Sequence, residues 1–233
     1  MRHALLLLFL FGFTSTASAQ TPSVMRRTAA SGLDLPGTTV ALEDGPASSV
    51  VNPAGLAMQR SLGLRYLHEE GVGGGEDFAG IDGDGLYFGL PLFRFLGFGL
   101  AFEWIEPEQR FLPSHRRTTW SLALGDRRLA LGASAHVFSG GVLDDSTSWD
   151  LGLLARPNRA FSLGFAVRNL DATRFDGGRL SREYVLGLGL RPLGDWLTLS
   201  LDAAVLGAEN QAVPHGFDST SFGGTVLAEV LPG

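Results

Sequence analysis

Cysteine is absent from this chain of 233 residues, and so is lysine: all 18 basic residues are arginine. The first absence excludes a disulfide framework and any thiolate metal site. The second excludes Ser–Lys dyads, Schiff-base chemistry and P-loop lysines. A net charge of −6 with no basic stripe gives no reason to expect nucleic acid as a partner. Histidine is sparse and scattered (His3, His68, His115, His136, His215), with no i,i+4 pair, so no metal site is expected. Gly71-Val72-Gly73-Gly74-Gly75 has no Lys-Ser or Lys-Thr after it and is no phosphate loop. The sequence points to no nucleotide, haem or metal cofactor.

Long apolar runs are missing too, apart from Ala4 to Phe13. That run is too short to cross a bilayer as a helix, which takes ~20 residues. With Arg2 ahead of it and Ala17-Ser18-Ala19 behind it, it reads as a secretory signal peptide over 1–19, cleaved before Gln20. No cysteine follows the cleavage site, so no lipoprotein is expected. The exported chain must then hold its fold without disulfides.

What the sequence has in excess is glycine, 32 residues, about twice the usual share. From Ser61 onward the pattern has a period of two. Leu96, Phe98, Leu100, Phe102 and Trp104 alternate with Gly97, Gly99, Ala101 and Glu103. Similar runs cover 117–124, 129–137, 149–156, 161–168, 183–191 and 197–204, with weaker copies at 61–69, 84–90 and 220–230. Such alternation predicts strands with two unlike faces. One face is Leu, Phe, Trp and Val; the other is Gly, Ala, Ser and Thr. A water-facing sheet surface would carry Lys, Glu and Gln instead. A small-residue face suits the interior of a narrow closed barrel, with the bulky face toward lipid.

The connections agree with this. Links at 91–95, 125–128, 156–160 and 191–196 are short, and those at 70–83, 107–114, 139–147, 170–181 and 207–218 are longer and rich in Gly, Asp, Glu and Pro. Outer-membrane barrels have short periplasmic turns and longer outer loops. Trp104, Trp120, Trp149, Tyr184 and Trp196 lie toward the segment ends, as an interfacial aromatic girdle requires. An open sheet edge is not tolerated in hydrocarbon, so the strands are expected to close. The expected fold is all-β: an antiparallel transmembrane β-barrel of about ten strands over 61–233, behind a lead-in over 20–60. The chain ends without the terminal aromatic usual in that class, which leaves open a barrel that is part of something larger.

The lead-in is expected to be loose over 20–42 and helical for one or two turns over 43–51, with Pro46 at the start and Pro53 forcing the end. Asn52-Pro53-Ala54-Gly55 fits a type I turn. It is either a local turn or a cap, through Asn52, Pro53, Gly55 and Leu56, that closes one end of the barrel.

At Val50-Val51-Asn52-Pro53-Ala54-Gly55-Leu56-Ala57, ahead of alternating strands and behind a signal peptide, the chain resembles the FadL-like outer-membrane barrels and their PorV/PorQ-like relatives. That resemblance implies a barrel of about 14 strands with an N-terminal segment in or under the lumen. It implies either passage of small hydrophobic solutes or service to a secretion system. The chain also looks like the barrel-type N-terminal region of some long bacterial proteins of the signal peptide peptidase (SppA) group. Leu64-Arg65-Tyr66-Leu67-His68-Glu69, Gly83-Asp84-Gly85-Leu86-Tyr87 and Arg116-Arg117-Thr118-Thr119 carry that likeness. The peptidase activity does not transfer, because its Ser–Lys dyad needs a lysine.

By parity the strand charges Arg65, Glu103, Arg117, Asp150, Arg168, Glu183, Arg191, Asp202 and Glu229 fall on the small-residue face. They read as Arg–carboxylate pairs filling a narrow lumen or as a polar path for a small solute. Asp82, Asp84, Asp144, Asp145, Asp171 and Asp176 read as loop acids, either solvated or, with His115, a barrel-protease site. The expected function is non-enzymatic: a structural or secretion-associated barrel in outer-membrane lipid, with assembly partners. A FadL-like channel is the alternative.

Overall fold

A computed structural model describes residues 30, 32–70, 81–107, 114–175, 178–192, 196–207 and 220–228. The signal peptide, the glycine run at 71–75, Asp176, His215 and Glu229 lie outside the described residues.

The alternating segments form one antiparallel sheet of ten strands. In chain order they are β1 (Gly63–Glu69), β2 (Ile81–Phe93), β3 (Leu96–Pro107), β4 (His115–Gly125), β5 (Leu129–Ser139), β6 (Thr147–Ala155), β7 (Phe161–Arg168), β10 (Glu183–Leu190), β11 (Leu197–Leu206) and β12 (Thr220–Ala228). Between β7 and β10 the chain makes a two-stranded ribbon, β8 (Arg174–Phe175) with β9 (Gly178–Arg179). Every strand of the large sheet pairs with its sequence neighbour, so the topology is an up-and-down meander. β1 and β12 are its edges, and among the described residues no pairing joins them.

The links between strands are short at one end of the sheet (94–95, 126–128, 156–160, 191–196) and long at the other (70–80, 108–114, 140–146, 169–182, 207–219). The short links close with local chemistry. Asp126 caps its link by accepting from the amides of Arg128 (2.7 Å) and Leu129 (3.0 Å). These bonds hold its carboxyl below the ordinary carboxylate range.

The two faces differ as the period requires. In β4, His115, Arg117, Thr119, Ser121 and Ala123 are buried, while Trp120, Leu122 and Leu124 are exposed. The same holds along β5 and β6. Leu64 is 66% exposed, Leu131 60% and Leu122 54%, so most of each bulky side chain faces away from the chain.

The buried face is covered by the chain's own N-terminal part. Residues 32–42, expected to be loose, are instead packed inside: Leu33, Thr39, Val40 and Ala41 are buried. They lead into a single helical turn, α1 (Ser48–Val51), and a 3-10 helix over Pro53–Met58. One apolar cluster joins Val40, Val50 and Val51 to Tyr87 and Ala101 near one edge of the sheet and to Ala166, Val185 and Ala204 near the other. Strands far apart in the sheet order therefore meet on one segment, and the sheet curls around it.

The segment explains the glycines of the inner face. A Cβ on Gly97 would run into the main chain of Leu56, and one on Gly164 into that of Val40. Cβ atoms on Gly132 and Gly152 would overlap Pro53, Ala54 and Asn52. Small residues are needed there because a backbone, not water, lies against the sheet.

Candidate functional site

Asn52 is the pivot of the inserted segment. Proline at 53 keeps it out of the helical region, and it is extended, with φ −155° and ψ 101°. Its side-chain oxygen accepts from Ala54 N at 3.2 Å and caps the 3-10 helix. Its amide donates to Val40 O at 2.7 Å and to Leu153 O at 3.1 Å. One fully buried side chain thus ties together the stretch around Val40, the 3-10 helix and the sheet. The expected turn is present as the first turn of the 3-10 helix, with Gly55 N donating to Asn52 O at 3.0 Å. Pro53, Gly55 and Leu56 are buried with it. Gly55 sits so close to Glu43 O and Ser48 that no side chain fits.

The polar groups of the inner face bind this segment largely through its main chain. Ser121 and Ser134 donate to Ser49 O at 3.2 and 2.7 Å, and Ser162 donates to Ala41 O. Arg117 reaches Ala30 O (3.2 Å), Arg156 reaches Leu42 O (2.8 Å) and Arg168 reaches Val51 O (3.3 Å). Glu103 accepts from Leu33 N and Asp202 from Val40 N, both at 3.3 Å. A segment lying against side chains has no sheet partner for its amides, so those side chains complete its hydrogen bonds.

The charges fall into separate clusters. Glu103 and Arg117 face each other across β3 and β4 and pair at 2.5 Å. Tyr87 donates to Glu103 at 3.0 Å, and all three side chains are buried. Arg168 and Glu183 face each other across β7 and β10 and pair at 3.0 Å. Arg65 donates to Pro36 O at 3.4 Å. Arg191 follows β10 in a short link and, among the described residues, joins none of these clusters; its amide donates to Ala160 O. At the short-link end Arg156 pairs with Asp44. Beside that pair, burial pushes the Glu43 carboxyl up, against the opposing pull of the Gly45 amide and of Arg65 and Arg156.

One cluster escaped sequence reasoning. Thr119 Oγ1 lies 2.8 Å from His136 Nδ1, and His136 Nε2 lies 2.9 Å from Asp150 Oδ2. Asp150 also accepts from Asn169 N at 2.9 Å. The order hydroxyl, imidazole, carboxylate is that of a nucleophilic triad. Here Thr119, His136 and Asp150 are all buried, with Thr119 at 0% exposure, so the hydroxyl meets no solvent-borne substrate. The signal in the sequence was only that all three residues have inward parity.

Two further corrections concern charge placement. Asp82 and Asp84 are strand residues of β2, not loop residues. Asp84 faces outward and accepts from Tyr66 at 2.6 Å, with His68 at 3.0 Å. Not every strand charge lies on the small-residue face: Asp84, Glu106 and Arg116 point outward, all at the long-link end. The aromatics Trp104, Trp120, Trp149, Tyr184 and Trp196 also face outward. Trp120 is the sixth residue of the eleven in β4, mid-strand rather than terminal.

Comparison with known proteins gives no further footing: no family model, no curated protein and no solved structure matches the chain.

Proposed function

We propose that the chain is an exported outer-membrane β-barrel, plugged by its own N-terminal segment and acting without catalysis as a structural or secretion-associated scaffold of the PorV-like kind. The observation that carries this reading is the outward face. Exposed Leu, Phe, Trp, Tyr and Val side chains follow one another across the sheet. Soluble monomers rarely expose contiguous apolar patches beyond a few hundred Å². Within the described strands the outward charges Asp84, Glu106 and Arg116 lie at the long-link end, where an apolar band would stop and headgroups begin. Closure of β12 onto β1 is what a bilayer would demand of such a sheet.

The filled interior favours a scaffold over a channel. Among the described residues Glu103, Arg117, Arg168 and Asp202 each bond to the segment, and Thr119, His136 and Asp150 are buried. Conductance across a planar bilayer tests this. The intact protein is expected to stay near baseline, while deletion of residues 43–57 opens it or abolishes the heat-modifiable folded band. Sustained solute flux through the intact protein would replace the scaffold with a FadL-like channel for small hydrophobic solutes. A deletion that changes neither property would remove the plug.

A further inference from the structure

The inserted segment has a direction. Ala30 lies at the long-link end, clustered with Phe138, Leu143 and Leu180, and its carbonyl receives Arg117. Leu33 packs on Ile105, and Asp34 N donates to Glu69, the last residue of β1, at 2.8 Å. Val40 lies at mid-height, on Gly164, Gly187 and Asp202. Ala41 and Leu42 reach Ser162 and Arg156, and Pro46 abuts Gly63, all at the short-link end. From residue 30 to residue 46 the chain therefore runs the full height of the sheet, from the long links down to the short ones.

We infer that the mature N-terminus leaves the molecule through the mouth formed by the long links. Ala29 is bonded to Ala30, and neighbouring Cα atoms are 3.80 Å apart. The chain ahead of Ala30 must therefore join the described structure at that mouth. Under the outer-membrane reading, on which the orientation rests, short links face the periplasm and long links the exterior. The new N-terminus is then displayed outside the cell, although the chain enters the membrane from the periplasm. A segment lying along the inner face cannot thread a finished barrel easily, so the sheet must close around it.

The absence of cysteine makes the test direct. Single substitutions Ser23→Cys, Ser114→Cys in a long link and Arg127→Cys in a short link are labelled in intact cells with a membrane-impermeant maleimide. Ser23→Cys is expected to label to the level of Ser114→Cys, with Arg127→Cys labelling only after permeabilisation. Ser23→Cys labelling together with Arg127→Cys and apart from Ser114→Cys would overturn the inference. A second measurement needs no membrane. In the purified full chain, Ala30→Cys with Leu143→Cys is expected to give a short bis-maleimide cross-link, seen as a gel shift, and Ala30→Cys with Arg127→Cys is not. Loss of the first cross-link, or gain of the second, would overturn the threading whatever the compartment. If instead the variants fail to fractionate with membrane but the first cross-link forms, the outer-membrane reading falls and the threading stands.

Discussion

The two faces of the sheet carry the same period of two and mean different things. Outward, Leu64, Leu122 and Leu131 are more than half exposed. Inward, Gly97, Gly132, Gly152 and Gly164 are pressed against the main chain of residues 40–56. The bulky face needs a partner that the chain does not supply. The small face already has one, and its side chains are chosen by how closely a backbone must approach. Alternation alone reports that two environments exist; only the burial of the inserted segment says what each one is.

The sharpest way to break the comparison is to remove charge from the inner face. Glu103→Ala leaves the buried Arg117 without its 2.5 Å partner and Tyr87 and Leu33 N without their acceptor. Breaking a buried pair in this way costs about 3–5 kcal/mol. Urea unfolding of the detergent-folded protein should show the full loss, and removal of both charges by Glu103→Leu with Arg117→Met should restore much of it. A loss under ~1 kcal/mol would mean that the pair is solvated and the interior open.

The outward face responds to the opposite change. Leu122→Arg places a charge in the apolar band and is expected to cost roughly 2–4 kcal/mol when unfolding is measured in lipid vesicles. On a face in contact with water the same exchange falls within about 0.5 kcal/mol. The size of the effect therefore decides between lipid and water as the partner of that face.

Gly132→Ala asks less of the molecule. The added methyl meets Pro53 and Ala54 main chain rather than a flexible side chain, and overpacking of this kind costs about 1–3 kcal/mol. Ala133, its outward neighbour, should accept Leu without loss. If Gly132→Ala were neutral, the inner face would be small for some reason other than the inserted backbone.

The strands were legible in the sequence because alternation is a local signal, and most of the inward charges were placed on the right face by parity alone. The inserted segment was not legible over 32–42. It has no apolar period, and its amides are satisfied by side chains far along the chain, such as Asp202 for Val40 and Glu103 for Leu33. The Thr119–His136–Asp150 contact was hidden for the same reason, since strand register, not spacing, brings it together. Asp82 and Asp84 read as loop in the sequence, since Asp and Gly are poor strand formers; pairing with β3 overrides that preference.

The smallest effect tests the short-link mouth, where both faces end. Glu43 is mostly buried beside Arg156 and Arg65, and burial raises its carboxyl above the ordinary value of 4.5. A folded-state pKa above the unfolded one means that folding favours the protonated form. Its contribution is therefore complete below the unfolded pKa and is lost as pH rises through the folded one. Glu43→Gln keeps an acceptor for the Gly45 amide, 3.0 Å away in the native protein, and removes the titration. The variant should match the native protein at acid pH and exceed it modestly in stability at neutral pH, read from unfolding midpoints across that range. Equal pH dependence in the two proteins would show that the mouth is open to water and that the N-terminal segment seals the interior only above it.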